Sequence, residues 1–203
     1  MRRMQLLIAV FVAASIQLHA QTVWKADKAH SSVRFSVIHL VISEVTGRFT
    51  DFDATLDQKT NDDFSGSTVS ATIKTASVNT DNDYRDKHLR SDDFFNADSF
   101  PTITFKSVSF EKTGENTYAI TGPLTIRDST KNVVLNAKFN GQVTDKRGNV
   151  HIGFKAMTTI DRFAFGTKWN AAMESGSLVV SRDVDITLTL EFLKEQKPAE
   201  IPK

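Results

Sequence analysis

The sequence predicts an all-β fold: an antiparallel barrel of about eight strands with one short helical crossover. Three observations predict it. Apolar residues recur at every second position from Thr22 onward, polar turns separate these runs, and one segment alone breaks the period. A chain of 203 residues with 40% hydrophobic content fills a single core. The four prolines are scattered and no Gly/Ser-rich or single-sign charged run divides the chain, so one domain is expected.

Residues 1–20, "MRRMQLLIAVFVAASIQLHA", carry Arg2 and Arg3, an apolar run from Leu6 to Ile16, and Ala20. That is the pattern of a secretory signal peptide cleaved after Ala20, and the run is short for a membrane-spanning helix. Export to a periplasm is the expectation. The remaining chain has 23 basic against 24 acidic residues, which gives no electrostatic reason for nucleic acid or an anionic membrane surface as a partner. It has no cysteine, so disulfides, thiol nucleophiles and thiolate metal sites are absent.

The strands are read by face. Val33, Phe35 and Val37 share one side of the first clear strand, and His39 follows on the same side. Phe52, Ala54 and Leu56 come next, then Val69, Ala71 and Ile73 with Ser70, Thr72 and Lys74 opposite. Ile103 and Phe105 sit on odd numbers but Val108 and Phe110 on even ones, a parity change that predicts a bulge near Lys106 and Ser107. Tyr118, Ile120, Leu124 and Ile126 continue the pattern, as do Val133, Leu135, Ala137 and Phe139, then Val150, Ile152, Phe154 and Ala156. The last strand sets Val184, Ile186, Leu188, Leu190 and Phe192 against Asp185, Thr187, Thr189 and Glu191. "KTGEN", "RDSTKN" and "TDKRGN" offer Gly, Asn or Asp for the left-handed positions of hairpin turns.

Between Asn79 and Pro101 the alternation fails and helix formers follow caps at Thr80 or Asp81, which reads as a helical crossover over one barrel mouth, anchored by Phe94, Phe95 and Phe100. A membrane barrel would turn its apolar face outward. The charged, proline-containing residues 194–203 and the placement of aromatics within strands favour a water-soluble barrel over residues 21–193.

A small barrel either fills its interior or leaves a cavity. Fifteen phenylalanines against two tryptophans and two tyrosines make an interior with few hydrogen-bonding groups. Such a lining suits a long hydrocarbon, at about 0.8 kcal/mol per buried CH₂. Phenylalanines that simply pack one another are the alternative.

Four ordered blocks carry a family resemblance. "WKADKAHSSVRFSVIHLVISEVTGRF", "RDKHLRSDDFFNADSFPTITFKS", "GPLTIRDSTKNVVL" and "IDRFAFG" together resemble the YceI-like family of periplasmic polyisoprenoid-binding proteins, over residues 22–193. Asp128 and Asn132 replace a glycine and a proline of that pattern, and Ala164 replaces an acidic residue that could have paired with Arg162. The resemblance implies a lipocalin-like barrel that holds a quinone or polyprenyl phosphate, as a carrier or buffer and without catalysis.

The apolar face then names Phe35, Val37, Phe52, Phe105, Ile120, Leu135, Phe154, Phe165, Ile186 and Leu188 as the expected ligand lining. His30, His39, His88 and Arg162 are the polar candidates for a wet rim or a head group. No cofactor is expected apart from the lipid, and homodimerisation is compatible with the fold without being demanded by it. Two other classes remain as alternatives: an enzyme acting on an isoprenoid lipid at the rim, and a filled structural or stress-response barrel. No metal is expected, because His30, His39, His88 and His151 never form a helical i, i+4 pair, and no G-x-S-x-G elbow or glycine-rich phosphate loop occurs.

Overall fold

A computed structural model describes residues 21–60 and 63–196. The expected signal peptide, and residues 197–203 of the expected tail, lie outside the described residues. Twelve strands build a closed ring of eight staves. β1 (Thr22–Ala26) and β2 (Ser32–His39) are halves of the first stave, β3 (Ser43–Phe49) and β4 (Phe52–Gln58) of the second. β5 (Thr68–Lys74) and β6 (Val78–Asn79) form the third, β7 (Thr102–Lys106) and β8 (Ser109–Gly114) the fourth. β9 (Thr117–Ile126), β10 (Ser129–Thr144), β11 (Val150–Asp161) and β12 (Asp183–Lys194) complete the ring.

The pairing follows the breaks. β4 pairs with β1 and β3 with β2, while β5 pairs with β4 and β6 with β3. β12 closes the barrel against β1 at one end and β2 at the other. Successive staves are neighbours and antiparallel, so the barrel is an up-and-down meander with no free edge.

The bulge predicted from parity is present. Phe105 pairs with Leu124 and Ser109 with Thr121, leaving three residues on one strand opposite two on the other. Gly122 sits there because a Cβ would lie 2.3 Å from the Lys106 carbonyl oxygen. Ser107 Oγ accepts the Val69 N–H at 2.9 Å and repairs the ladder. The bulge also turns Val108 outward, where it is exposed, whereas its expected companion Phe110 is buried.

Two turn expectations shift. In "RDSTKN" the left-handed residue is Arg127, not Asp128 or Asn132, and its guanidinium holds it there through the Asp92 and Phe94 carbonyls, both at 2.7 Å. The crossover helix α1 (Asp83–Arg90) is capped by Asn82, whose side chain accepts the Arg85 N–H, one residue beyond the expected caps.

The apolar faces all point inward, and the outer wall carries Arg34, Lys74, Lys106, Lys138 and Lys155, each exposed. This is the reverse of a barrel embedded in lipid. No helix of the described residues is long and apolar enough to cross a membrane.

Candidate functional site

The phenylalanines divide between two tasks. At the end of the barrel that holds the 115–116 and 145–149 turns, Phe64, Phe110, Tyr118, Phe139 and Phe154 interlock with ring centroids 4.9–6.4 Å apart. Edge-to-face and tilted contacts at these distances are the arrangements aromatic rings prefer. Trp24 and Gln58 extend the plug through an Nε1–H···Oε1 bond of 3.0 Å.

Above the plug the barrel is hollow. The cavity measures about 380 Å³, within the about 300–1,000 Å³ usual for small-molecule sites. All ten expected lining residues, Phe35, Val37, Phe52, Phe105, Ile120, Leu135, Phe154, Phe165, Ile186 and Leu188, face it. Phe35, Val37, Ile186 and Leu188 are only half-buried, because in the hollow part an inward side chain has no partner across the barrel.

The open end is framed by α1, the β2–β3 tip, the Arg127–Asp128 turn and residues 162–182. Asp86, buried on α1, accepts the Thr80 N–H at 2.8 Å and its hydroxyl at 2.5 Å. Arg85 donates to the Thr80 hydroxyl and carbonyl, both at 2.8 Å, and Arg90 to the carbonyls of Ala76 and Val78. These bonds fasten the helix across the mouth, while Phe95 packs on Phe49 from above.

The four polar candidates separate. His39 and His88 line the cavity near its mouth. His88 shares a hydrogen bond of 2.8 Å with Asp93 and sets its ring edge-on to Phe94 and Trp169. Arg162 also lines the cavity but is 5% exposed and committed elsewhere. It donates to the carbonyls of Trp169 at 2.6 Å, Ser181 at 2.9 Å and Val180 at 3.3 Å, and stacks on Phe163 at 4.1 Å. With no carboxylate partner, burial pushes its pKa down, and its work is to hold the 167–181 loop.

His30 is not at the cavity, contrary to its candidacy for the rim. It lies in the break between β1 and β2, where alternation no longer fixes the facing, and its exposed ring bonds Asp27 at 2.9 Å. That bond raises the His30 pKa and lowers that of Asp27. Glu191 lies close enough to both for one ligand atom of each residue to fall within 4.8 Å of the others, on the outer wall.

Sequence reasoning missed Thr80, Arg85 and Trp169, which also line the mouth. None belongs to a period-two run, so no pattern marks them. Among the described residues the lining includes arginine, histidine and threonine but no aspartate or glutamate.

The profile of the YceI-like domain matches residues 24–192. A UPF0312 protein of Staphylococcus aureus is 37% identical over 167 residues, covering 82% of this chain and 94% of its own length. A crystal structure of a Campylobacter jejuni YceI protein, a cysteine mutant, is 36% identical with a TM-score of 0.68, covering 84% of this chain and 96% of its own. A polyisoprenoid-binding domain from Saccharophagus degradans shares the fold at 17% identity and a TM-score of 0.60, covering 85% of this chain and 98% of its own.

Proposed function

This chain belongs to the YceI-like family, and from that premise we propose that it is a lipid-binding protein that holds a polyisoprenoid chain inside its barrel. The observation that carries the proposal is the hollow, open at one end and walled mainly by aliphatic and phenylalanine side chains, with no carboxylate among the described residues that line it. A hydrocarbon tail gains about 25 cal/mol per Å² of apolar surface removed from water. The tail enters through the mouth and stops at the aromatic plug, leaving its polar head beside His39, Arg85 and His88. These side chains can donate to a phosphate or to a quinone oxygen, and to a phosphate more strongly, with His88 oriented by its 2.8 Å bond to Asp93 and Arg85 by its bonds to Thr80.

The protein acts as an exported carrier or buffer, its leader being residues 1–20, and it binds rather than transforms its ligand. The name of the Saccharophagus domain, which binds polyisoprenoid, supports the ligand class by analogy of fold. The test is equilibrium uptake of a polyprenyl phosphate and of an isoprenoid quinone by the wild type and by Ala71→Phe, which fills the hollow from its wall. Uptake by the wild type and its loss in Ala71→Phe support the reading; no uptake of either lipid by the wild type overturns it.

A further inference from the structure

The β2–β3 hairpin ends in a turn whose side chains contradict its backbone. The Ile42 N–H donates to the His39 carbonyl at 3.2 Å, and the two residues between them, Leu40 and Val41, have φ of 51° and 67°. Positive φ at both central positions of a hairpin turn calls for Asn-Gly or its like, because a Cβ is crowded there and a β-branched one most of all. Here a leucine and a valine occupy it. Local chemistry is broken in this way chiefly where function asks for it.

The strained turn points aliphatic side chains into the open. Ile38 is 45% exposed, Leu40 39%, Val41 63% and Ile42 85%, four apolar residues within five. The patch sits on the lip of the cavity. Val37 and Val45, paired across the strands just below, line the hollow, and the Leu40 N–H is bonded at 2.8 Å to the Val179 carbonyl beside Val180, which lines it too. Apolar side chains therefore lie on both sides of the His39 imidazole, Val37, Val45 and Val180 inside the mouth and Leu40, Val41 and Ile42 at the tip.

The composition of the tip selects the occupant. From Ile38 to Thr46 the titratable side chains are His39 and Glu44, with no lysine or arginine. Attraction to anionic groups is thus not what the tip offers, and insertion of aliphatic side chains into an apolar medium is. We infer that the Leu40–Val41–Ile42 tip docks the mouth of the barrel onto a lipid bilayer, so that an isoprenoid passes between membrane and cavity without crossing water. This rests on the isoprenoid reading above for its purpose, though not for its geometry.

The variant Leu40→Asn, Val41→Gly, Ile42→Ser removes the apolar tip while giving the turn residues its backbone prefers, and so melts no lower than the wild type. Flotation with neutral phosphatidylcholine vesicles, at low and high salt, is the direct test. The wild type floats at both, and the variant's partitioning falls by about tenfold or more. Transfer of isoprenoid from those vesicles slows in parallel, whereas the occupancy reached from isoprenoid in detergent is unchanged. A wild type that does not float, or a variant that floats as well, overturns the inference. So does a dimer that the variant abolishes with vesicle binding untouched, since the occupant is then a second copy. If neither protein takes isoprenoid from detergent, the ligand reading fails, while flotation alone still decides the docking.

Discussion

Phe35 packs against Gly47, its partner across the β2–β3 ladder, so closely that a methyl group on the glycine would stand 2.3 Å from the Phe35 Cζ. The missing side chain lets the ring rest against the wall, beside Phe49 at 5.8 Å, instead of crossing the hollow. Gly47→Ala should drive the ring into the cavity, costing about 1–3 kcal/mol in urea denaturation and lowering isoprenoid capacity. Unchanged stability and unchanged capacity together would show that the glycine does not shape the hollow.

Ser107 tests the bulge. Its hydroxyl is the acceptor for the Val69 N–H, and the residue is 5% exposed. Ser107→Ala leaves a buried N–H without a partner and should cost about 1–3 kcal/mol, read from the denaturation midpoint at constant slope.

Arg162 is predicted to be a structural clamp. Three carbonyls in a fan around one planar guanidinium cannot be served alike by an ammonium. Arg162→Lys should therefore lower Tm and weaken binding of polyprenyl phosphate and isoprenoid quinone by the same factor. Selective loss of the phosphate would instead assign Arg162 to the head group.

The outer wall beside the plug sets a pH dependence. Asn149, through its side chain and then its N–H, with the Arg147 N–H and His151, holds the Asp145 carboxyl down at about 2. Stability from this group is present above the ordinary carboxylate range and is lost as pH falls through about 2. His151 is shifted the other way, raised by its 2.8 Å bond to Glu191 and by Asp145. Its contribution is complete below about pH 6.5 and disappears as pH rises through the higher folded value. His151→Gln should thus melt below the wild type near pH 6 and with it near pH 9, whereas Asp145→Asn should flatten the loss of stability in acid. His30, raised by Asp27, keeps part of the alkaline slope in the His151 variant.

The fold was legible because one rule, alternation with the apolar face inward, governs every stave. Even the bulge showed itself, as Phe105 and Phe110 fall on opposite parities. What alternation cannot express is depth along the barrel axis. Phe139 in the plug and Phe35 in the hollow obey the same period, and only the three-dimensional packing separates them. Where a stave breaks, parity is lost, so the sequence does not express which way His30 faces. Arg162 lines the cavity, but the bonds that hold its guanidinium go to backbone carbonyls of a loop, which no residue pattern records.

Native mass spectrometry of the protein isolated from its own compartment without detergent, followed by solvent extraction, tests the central claim most directly. The account predicts one isoprenoid lipid per barrel in the wild type and none in Ala71→Phe. A wild type that arrives empty and stays empty when polyprenyl phosphate or isoprenoid quinone is added would contradict it.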